Sequence, residues 1–305
     1  MPRGRFAPSP SGDLHLGGAR TALVAWLAAR RDGGSFMLRI EDIDRPRVVP
    51  GVEERMLEDL LWLGLDWDGE PIRQSDRLPL YDQALGRLGQ RGLLYPCFCS
   101  RADVAQAASA PHGPVLAYPG TCRDLSSTEV EQRIAAGRRP ALRFRAPDRE
   151  LCFEDAVHGR VCGRSDDFVV RRSDGLHAYQ LAVVVDDIDM AIEEIARGDD
   201  LLDSTPRQLL LYEALGATAP RFAHVPLVLG PDGQRLAKRH GSISVRAFRE
   251  AGMPASRLVG RLAATLGLCS PGDDVWPRDL VSAFSFERLP REPASVGSGF
   301  LVPSP

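Results

Sequence analysis

RFAPSPSGDLHLGG, residues 5–18, is an extended, proline-rich segment that ends in a glycine turn, directly before a stretch whose apolar residues have helical spacing. The N-terminus of such a helix presents free N–H groups and the positive end of a dipole, which together attract an anion. His15 is positioned to donate to a phosphate oxygen. Gly17 and Gly18 carry no side chain, so a flat ligand can lie against the backbone. The segment predicts a phosphate site where a strand passes into a helix.

A second stretch, RLAKRHG at residues 235–241, follows the turn GPDGQ. Lys238 is the only lysine in a chain with 38 basic residues, and asparagine is absent, which suggests a coding sequence that avoids AA-rich codons. A lysine retained against that bias indicates a position where a compact ammonium cannot be replaced by a guanidinium. Chance survival of one lysine is the alternative. We expect Lys238 to lie on a connector that closes over a polyphosphate.

The first ninety residues alternate between strand and helix patterns. SFMLRIEDID is predicted to be a buried strand ending in acids, and ARTALVAWLAARR, VEERMLEDLLWLGL and LYDQALGRLGQRGLL are predicted helices, the second of them closed by Gly64. The order strand, helix, strand, helix, helix favours an α/β layer with parallel strands.

The same pattern returns after residue 170. HAYQLAVVVDDIDM is predicted to be an apolar strand that delivers Asp186 and Asp187. LLDSTPRQLLLYEALG is predicted to be a helix with Ser204 or Thr205 as its cap and Pro206 in its first turn, and HVPLVLGPDG a strand and turn. Between the two α/β regions, short segments punctuated by Gly and Pro indicate an insertion. The predicted division is 1–93, a first catalytic half; 94–170, an inserted α+β module; 171–243, a second half; 244–287, a small helical annex; and 288–305, a disordered tail.

The composition of the chain limits the classes of function that it can have. The chain has 305 residues, a net charge of −3 and 44% hydrophobic residues, as expected for a globular protein with a sizeable core. The net charge argues against bulk attraction to nucleic acid, although local patches at residues 138–145 and 171–172 could supply it; a solvated charged face is the alternative. No apolar run approaches the roughly 20 residues that span a membrane, and no apolar signal core follows the N-terminus. We therefore expect no membrane association and a cytoplasmic location.

Six cysteines fall into two groups. Cys97 and Cys99 lie close to Cys122, and three thiolates with a fourth donor suit a tetrahedral structural zinc site. Tyr118 and His112 compete for the fourth position. The remaining cysteines are scattered and are predicted to be small core residues; they are Cys152, Cys162 and Cys269.

HLGG resembles the "HIGH" signature of the class I aminoacyl-tRNA synthetases, and RLAKR resembles their "KMSKS" loop. RFAPSPSG, LRIEDID, WDG, AYQLAVVVDDIDM, IARGDDLLDSTPRQLLLYEALG and HVPLVLGPDG resemble the glutamyl branch in the same order, so the likeness covers residues 3–245. It implies a Rossmann-like parallel sheet and an ATP-dependent enzyme that uses Mg²⁺. Two positions depart from the pattern. Gly18 stands where the signature has His, a change common in this branch, and Ala237 stands where Ser is usual, which removes a hydroxyl donor.

The resemblance also implies site residues. His15 and Lys238 are the catalytic pair. The ATP site comprises His15, Gly17, Gly18 and Lys238. The glutamate site comprises Arg5, Ala7, Ser9, Glu41, Tyr179 and Arg197. One structural zinc is implied at Cys97, Cys99, Tyr118 and Cys122. Without the resemblance, a structural salt bridge between Arg5 and Glu41 and core packing of Tyr179 are the alternatives.

Few residues follow the second signature, which resembles the short members of the branch that lack an anticodon-reading domain. They form glutamyl-adenylate from ATP and L-glutamate and transfer the glutamyl group to queuosine at the wobble position of tRNA(Asp). The expected partner is the tRNA(Asp) anticodon stem-loop, bound by a monomer. The alternatives are a glutamyl enzyme core that charges tRNA(Glu), a non-catalytic RNA-binding paralogue, and another α/β nucleotidyltransferase that shares only the two signatures.

Overall fold

The computed structural model describes residues 1–100, 102–103, 118–233 and 244–302. The predictions made for His112, Ala237 and Lys238 lie outside the described residues. Within the described ranges, no helix combines the length and the apolar character that crossing a membrane requires.

A seven-stranded sheet organises the molecule, and its strands run in the order β3-β2-β1-β9-β10-β6-β7. Neighbours are parallel from β3 through β6, and only the pair β6–β7 is antiparallel. The strands of the protein are β1 (Arg3–Phe6), β2 (Ser35–Ile40), β3 (Ile72–Arg73), β4 (Leu94–Cys97), β5 (Ala141–Phe144), β6 (Glu150–Asp155), β7 (Gly159–Arg164), β8 (Phe168–Arg171), β9 (Glu194–Gly198), β10 (Arg221–Val225), β11 (Val228–Leu229) and β12 (Ala294–Ser295). The predicted α/β fold with parallel strands is confirmed.

Helices cover the sheet and connect its parallel strands. They are α1 (Leu16–Arg31), α2 (Val52–Trp62), α3 (Leu78–Gln90), α4 (Ser127–Ala135), α5 (Tyr179–Asp189), α6 (Thr205–Leu215), α7 (Val245–Glu250), α8 (Ala255–Ala264) and α9 (Pro277–Leu280). Helix α1 lies against β1, and a Cβ at Gly4 would stand 3.3 Å from the Cβ of Ala29, so glycine permits this close approach. As predicted, α2 is followed by Gly64, which has a φ of 78°.

The stretch at residues 177–190 forms helix α5, so its prediction as a strand was wrong. Residues 181–187 are all buried, because α5 packs between α3 and α6. A helix that is covered on most sides shows a continuous apolar run, and a buried strand shows the same pattern. Asp186 and Asp187 still reach the interior, but from a helix.

The predicted insertion divides between two sheets. Strands β4, β5 and β8 form a separate antiparallel sheet, whereas the hairpin β6–β7 joins the edge of the main sheet beside β10. The contact pairs Phe222 with Asp155. Residues 94–170 are therefore not a self-contained module, since one hairpin completes the main sheet.

The C-terminal region packs on the same core as α1. Helices α7 and α8 bury Phe248, Leu258 and Leu262 in that core. The tail was predicted to be disordered, and the described residues correct this. Strand β12 pairs in parallel with β11, and Val296 is buried. The composition of the tail favours no local structure, but burial of a few of its apolar side chains in the core stabilises an ordered conformation.

Two of the scattered cysteines also differ from prediction. Cys152 and Cys162 are exposed, lie directly opposite each other on β6 and β7, and form a disulfide. Side chains alternate along a strand, so opposed residues of an antiparallel pair share one face, here the outer one. Cys269 is a half-buried free thiol.

Candidate active site

A cavity of about 390 Å³ opens at the carboxyl ends of β1, β9 and β10. This is the edge where open parallel sheets bind ligands. All six residues predicted for the glutamate site line it, namely Arg5, Ala7, Ser9, Glu41, Tyr179 and Arg197. The nucleotide residues His15, Gly17 and Gly18 line it as well. The structure thus brings together two sets of residues that lie far apart in the chain.

His15 caps helix α1. Its Nδ1 accepts a hydrogen bond of 2.9 Å from the backbone N–H of Gly18, which places the proton of the neutral ring on Nε2. Nε2 is then a donor, as the prediction for a phosphate ligand requires. A Cβ on Gly17 would meet the His15 ring at 3.2 Å, and one on Gly18 would meet Leu14 at 3.1 Å. Gly17 therefore leaves room for this ring orientation, and Gly18 leaves room for the Leu14 side chain.

Both ends of the second signature segment lie beside the cavity. On one side, Val228 of β11 lines it. On the other side, Ser244 forms an antiparallel bridge with His15, and the Val245 N–H donates to the Leu14 carbonyl at 2.8 Å. The residues just before and just after the second signature segment therefore both lie near the first signature.

A buried charge network lies behind the floor of the cavity. Arg5 Nε is 3.3 Å from Asp187, and Arg39 is 2.6 Å from Asp187 and 3.2 Å from Glu41. Arg5 and Glu41 thus have other partners, and no salt bridge joins them within the described part of the chain. Sequence reasoning missed Arg39, which is fully buried. Its only signal was the position before the acids in LRIED.

Burial and pairing shift the acids of this network in opposite directions. Burial raises the pKa of Glu41, and Arg39 only partly offsets this. Burial would also raise the pKa of Asp187, but Arg39 and Arg5 outweigh it, and the net shift is downward. The neighbouring arginines therefore offset the burial of Asp187 fully and that of Glu41 only in part.

Arg197 presents a different case, because only neutral acceptors hold it. Its Nε donates to His224 Nε2 at 3.0 Å, and its two terminal nitrogens donate to Gln208 at 2.7 Å and Thr205 at 2.8 Å. No carboxylate of the described residues forms an ion pair with it, and the other segments contain no Asp or Glu. Burial lowers the pKa of Arg197, and repulsion from Arg5 adds to this effect, against the opposing influence of Tyr179 and of the more distant Asp187 carboxylate.

Tyr179 does not take the core position that was its alternative. It begins α5, its side chain is 39% exposed, and it lines the cavity. Sequence reasoning also missed the three side chains that hold Arg197. Thr205 was noted only as a helix cap, whereas its hydroxyl accepts from Arg197.

The predicted zinc ligands converge in the insertion. The sulfur atoms of Cys97, Cys99 and Cys122 all lie within 4.8 Å of one another. The Tyr118 hydroxyl is 3.4 Å from the Cys97 sulfur and 3.9 Å from the Cys99 sulfur. Three thiols and one oxygen at these separations suit the donor set of a tetrahedral site.

The arginines considered as an RNA-binding patch have mainly structural contacts. Arg143 is buried, lies 3.7 Å above the Tyr118 ring and donates to the Cys97 sulfur at 3.2 Å. Arg138 donates to the Phe98 carbonyl. Arg172 pairs with Asp44 and Asp174. These side chains stabilise the insertion and its junction with the main sheet.

The chain combines a parallel sheet with a histidine-capped helix and a cationic pocket at the carboxyl edge of the sheet. Its sequence also matches the model of a known family. Residues 2–273 match the model for "tRNA synthetases class I (E and Q), catalytic domain". The chain belongs to this family of class I synthetases.

The similar proteins within the family carry two different names. The chain is 53% identical to the Glutamyl-Q tRNA(Asp) synthetase of Symbiobacterium thermophilum, over 96% of this chain and 95% of the relative. It is 52% identical to the Glutamyl-Q tRNA(Asp) synthetase of Nocardia farcinica, over 99% and 95%. The Glutamate--tRNA ligase of Geobacter sulfurreducens is 44% identical, over 93% of this chain and 61% of the ligase. A crystal structure of a glutamate tRNA ligase from Elizabethkingia meningosepticum, in complex with its amino acid, superposes with a TM-score of 0.84 at 30% identity, covering 98% of this chain and 68% of that one.

Proposed function

We propose that the protein activates L-glutamate with ATP and transfers the glutamyl group to queuosine at the wobble position of tRNA(Asp). Arg197 carries the glutamate part of this proposal. A buried cation held only by neutral groups is costly, and a ligand carboxylate in the cavity offsets that cost. A glutamine amide cannot, because it brings no charge. The pocket thereby selects an acidic amino acid.

The other cavity residues complete the glutamate site. Arg5, with Ala7 and Ser9 at the end of β1, contacts the substrate from the opposite side to Arg197. Glu41 holds the substrate α-ammonium group. That group adds a positive charge beside Glu41, whose pKa is raised by burial in the free protein despite the nearby Arg39. Tyr179 covers the bound amino acid with its exposed ring.

In the first step a carboxylate oxygen of glutamate attacks the α-phosphorus of ATP, and the bond to pyrophosphate breaks. His15 Nε2 and the N-terminus of α1 donate to the phosphates, and Lys238 adds a charge that stabilises the transition state. Mg²⁺ accompanies ATP and neutralises phosphate charge. In the second step a hydroxyl of the queuosine cyclopentenediol attacks the activated carbonyl, and AMP leaves.

The choice of tRNA rests on the relatives. Identity to the Glutamyl-Q tRNA(Asp) synthetases reaches 53%, against 44% for the glutamate ligase of Geobacter sulfurreducens. We therefore propose the anticodon stem-loop of tRNA(Asp) as the RNA partner, bound by a monomer. Because its substrates are ATP and tRNA, we propose that the reaction takes place in the cytoplasm.

We further propose one structural Zn²⁺ per chain, held by Cys97, Cys99, Cys122 and Tyr118. The hydroxyl of Tyr118 lies close to two of the three sulfur atoms, which supports it as the fourth ligand. The metal links β4 to the segment at residues 118–122, and its role there is to fold the insertion.

The test compares tRNAs in one assay. The protein is incubated with ATP, radiolabelled glutamate and either queuosine-containing tRNA(Asp), the same tRNA carrying guanosine at that position, or tRNA(Glu). Label on the queuosine-containing tRNA alone supports the proposal. Label confined to tRNA(Glu) would identify a ligase of the ordinary glutamyl kind. Absence of glutamate-dependent pyrophosphate exchange would indicate a non-catalytic RNA-binding paralogue.

A further inference from the structure

We infer that Asp155 and His224 are positioning residues that hold Arg197 as the carboxylate-binding group of the pocket. The inference rests on the proposed binding of glutamate by Arg197. Neither residue lines the cavity; both act through the guanidinium. Asp155 ends strand β6 of the insertion, so a segment outside the two catalytic halves supports the substrate site.

The hydrogen bonds determine which nitrogen of His224 carries the proton. Asp155 Oδ2 lies 2.6 Å from His224 Nδ1, and a carboxylate can only accept, so Nδ1 donates. Nε2 is then a lone-pair acceptor, and it receives the Nε–H of Arg197 at 3.0 Å. The three groups form one directional chain from carboxylate to ring to guanidinium.

The hydrogen bonds from Asp155 through His224 to Arg197 require the neutral form of the His224 ring. A protonated His224 would present an N–H to the N–H of Arg197, and two donors would face each other. His224 is fully buried, and four groups of neighbouring elements face it: Asp155, Arg197, Thr205 and His158. Burial lowers the pKa of His224, and Arg197 adds to this against the opposing hydrogen bond of Asp155.

The series of hydrogen bonds from Asp155 through His224 also fixes the direction in which Arg197 presents its charge. A guanidinium has five N–H donors in a rigid plane. Three are used by His224, Gln208 and Thr205 within the described residues, which leaves two for a ligand. Because the Nε–H is fixed by His224, the plane cannot rotate about its stem, and the remaining donors keep one direction.

Asp155→Asn tests this arrangement with no change of shape. Oδ1 of Asp155 accepts from the backbone N–H groups of Val157 and His158, each at 3.0 Å, so the amide oxygen of the variant must occupy that position. The amide NH₂ then replaces Oδ2 and donates to Nδ1, and it also faces the backbone N–H of His224, which donates to Oδ2 at 3.1 Å in the wild type. The proton of His224 is forced to Nε2, where it opposes Arg197.

We expect the glutamate KM of Asp155→Asn to rise about 10- to 100-fold, the loss of one hydrogen bond to a charged group, with an unchanged KM for ATP. His224→Leu should act in the same way, because it removes the acceptor. Glu154→Gln, the same acid-to-amide change at an exposed neighbour on β6, is the matched control and should behave as wild type. Pyrophosphate exchange measures all of these constants, and circular dichroism verifies folding.

Long-range ¹H–¹⁵N spectra give a readout that does not depend on catalysis. They should show His224 protonated on Nδ1 in the wild type and on Nε2 in Asp155→Asn, with His224→Leu assigning the signal. An Nε2–H tautomer in the wild type would overturn the inference, as would an unchanged glutamate KM in a folded Asp155→Asn protein. A wild type without glutamate-dependent exchange would instead overturn the proposed function, and the inference with it.

Discussion

At the scale of single residues, sequence motifs found the groups that line the cavity but not the groups that hold them in place. His15 and Arg197 lie in recognisable stretches, and both line the cavity. Gln208 and His224 lie in stretches that resemble the glutamyl branch, whereas Asp155 lies in none, and the sequence assigned a role to none of the three because each acts through another side chain. Asp155 and His224, for example, are 69 residues apart.

Lys238 provides a prediction at this scale from the sequence alone. Lys238→Ala should raise the barrier to adenylate formation by about 2–4 kcal/mol, the range for loss of one oriented charge-stabilising donor. Lys238→Arg keeps the charge but not the compact geometry and should recover only part of the rate. Single-turnover pyrophosphate release measures both. A wild-type rate in the alanine variant would remove Lys238 from the proposed mechanism.

Asp59 predicts a pH-dependent stability. Its side chain is buried on α2, its oxygens accept no hydrogen bond from the described residues, and Arg249 is 3.3 Å away. Burial raises its pKa to about 6, only partly offset by Arg249. The unfolded chain titrates near 3.9, so between these values the folded state binds more protons. Asp59 therefore destabilises the fold increasingly as pH rises through 6.

Asp59→Asn should stabilise the protein by about 3 kcal/mol at pH 7.5, since the pKa shift is about two units and each unit corresponds to about 1.4 kcal/mol. The gain should shrink toward pH 4, where the wild-type carboxyl is protonated in both states. Urea unfolding at several pH values measures the difference. A gain that is independent of pH would show that titration of Asp59 is not its cause.

At the scale of elements, local patterns identified most helices and strands correctly. Helices α2 and α3 have one apolar face and were predicted from it. Helix α1 was also predicted correctly, although its residues 22–29 are all buried, whereas α5, with residues 181–187 all buried, was mistaken for a strand. Strands β6 and β7 were not predicted at all. This hairpin joins the main sheet because β10 provides a free edge for β6. The local sequence of β6 and β7 does not show that this edge exists.

Two helical glycines predict opposite effects of the same substitution. Gly260 lies inside α8, and a Cβ there would come within 1.8 Å of the Asp273 carbonyl oxygen. Gly86 lies on the exposed side of α3 with nothing within 4 Å. Gly86→Ala should stabilise the protein by about 0.5–1 kcal/mol, the gain in helix propensity.

Gly260→Ala should instead destabilise the protein by about 1–3 kcal/mol, because the contact of Asp273 with α8 must open. Thermal and denaturant unfolding of both variants measure the two signs. Stabilisation by Gly260→Ala would show that the loop at Asp273 yields without cost.

At the scale of the whole molecule, the insertion is joined to the catalytic sheet instead of standing apart. Its hairpin β6–β7 extends the main sheet, while the cysteine cluster begins at Cys97, the last residue of β4 in the separate sheet of β4, β5 and β8. Likewise, the tail pairs through β12 with β11, just before the second signature segment. Regions that appear peripheral in sequence therefore support the ligand cavity.

The cysteine cluster predicts the metal content of the whole protein. Purified protein should contain about one zinc per chain, the stoichiometry of a single structural site. Cys122→Ser should lower this content and increase proteolysis within residues 94–170. Cys269→Ser, a free half-buried thiol outside the cluster, is the control and should keep its metal. Full zinc retention by Cys122→Ser, measured by mass spectrometry, would contradict the assignment.

The sequence by itself determined the fold class, the two signatures and the residues that line the cavity, because these depend on local periodicity and on side-chain chemistry at short spacing. Only the tertiary structure decided that Arg197 is buried without an ion-pair partner among the described residues, that His224 and Asp155 form a hydrogen-bonded series behind it, and that Asp187 pairs with both Arg5 and Arg39. The physical reason is that charge pairing and desolvation depend on distances between segments far apart in the chain. No local pattern encodes those distances.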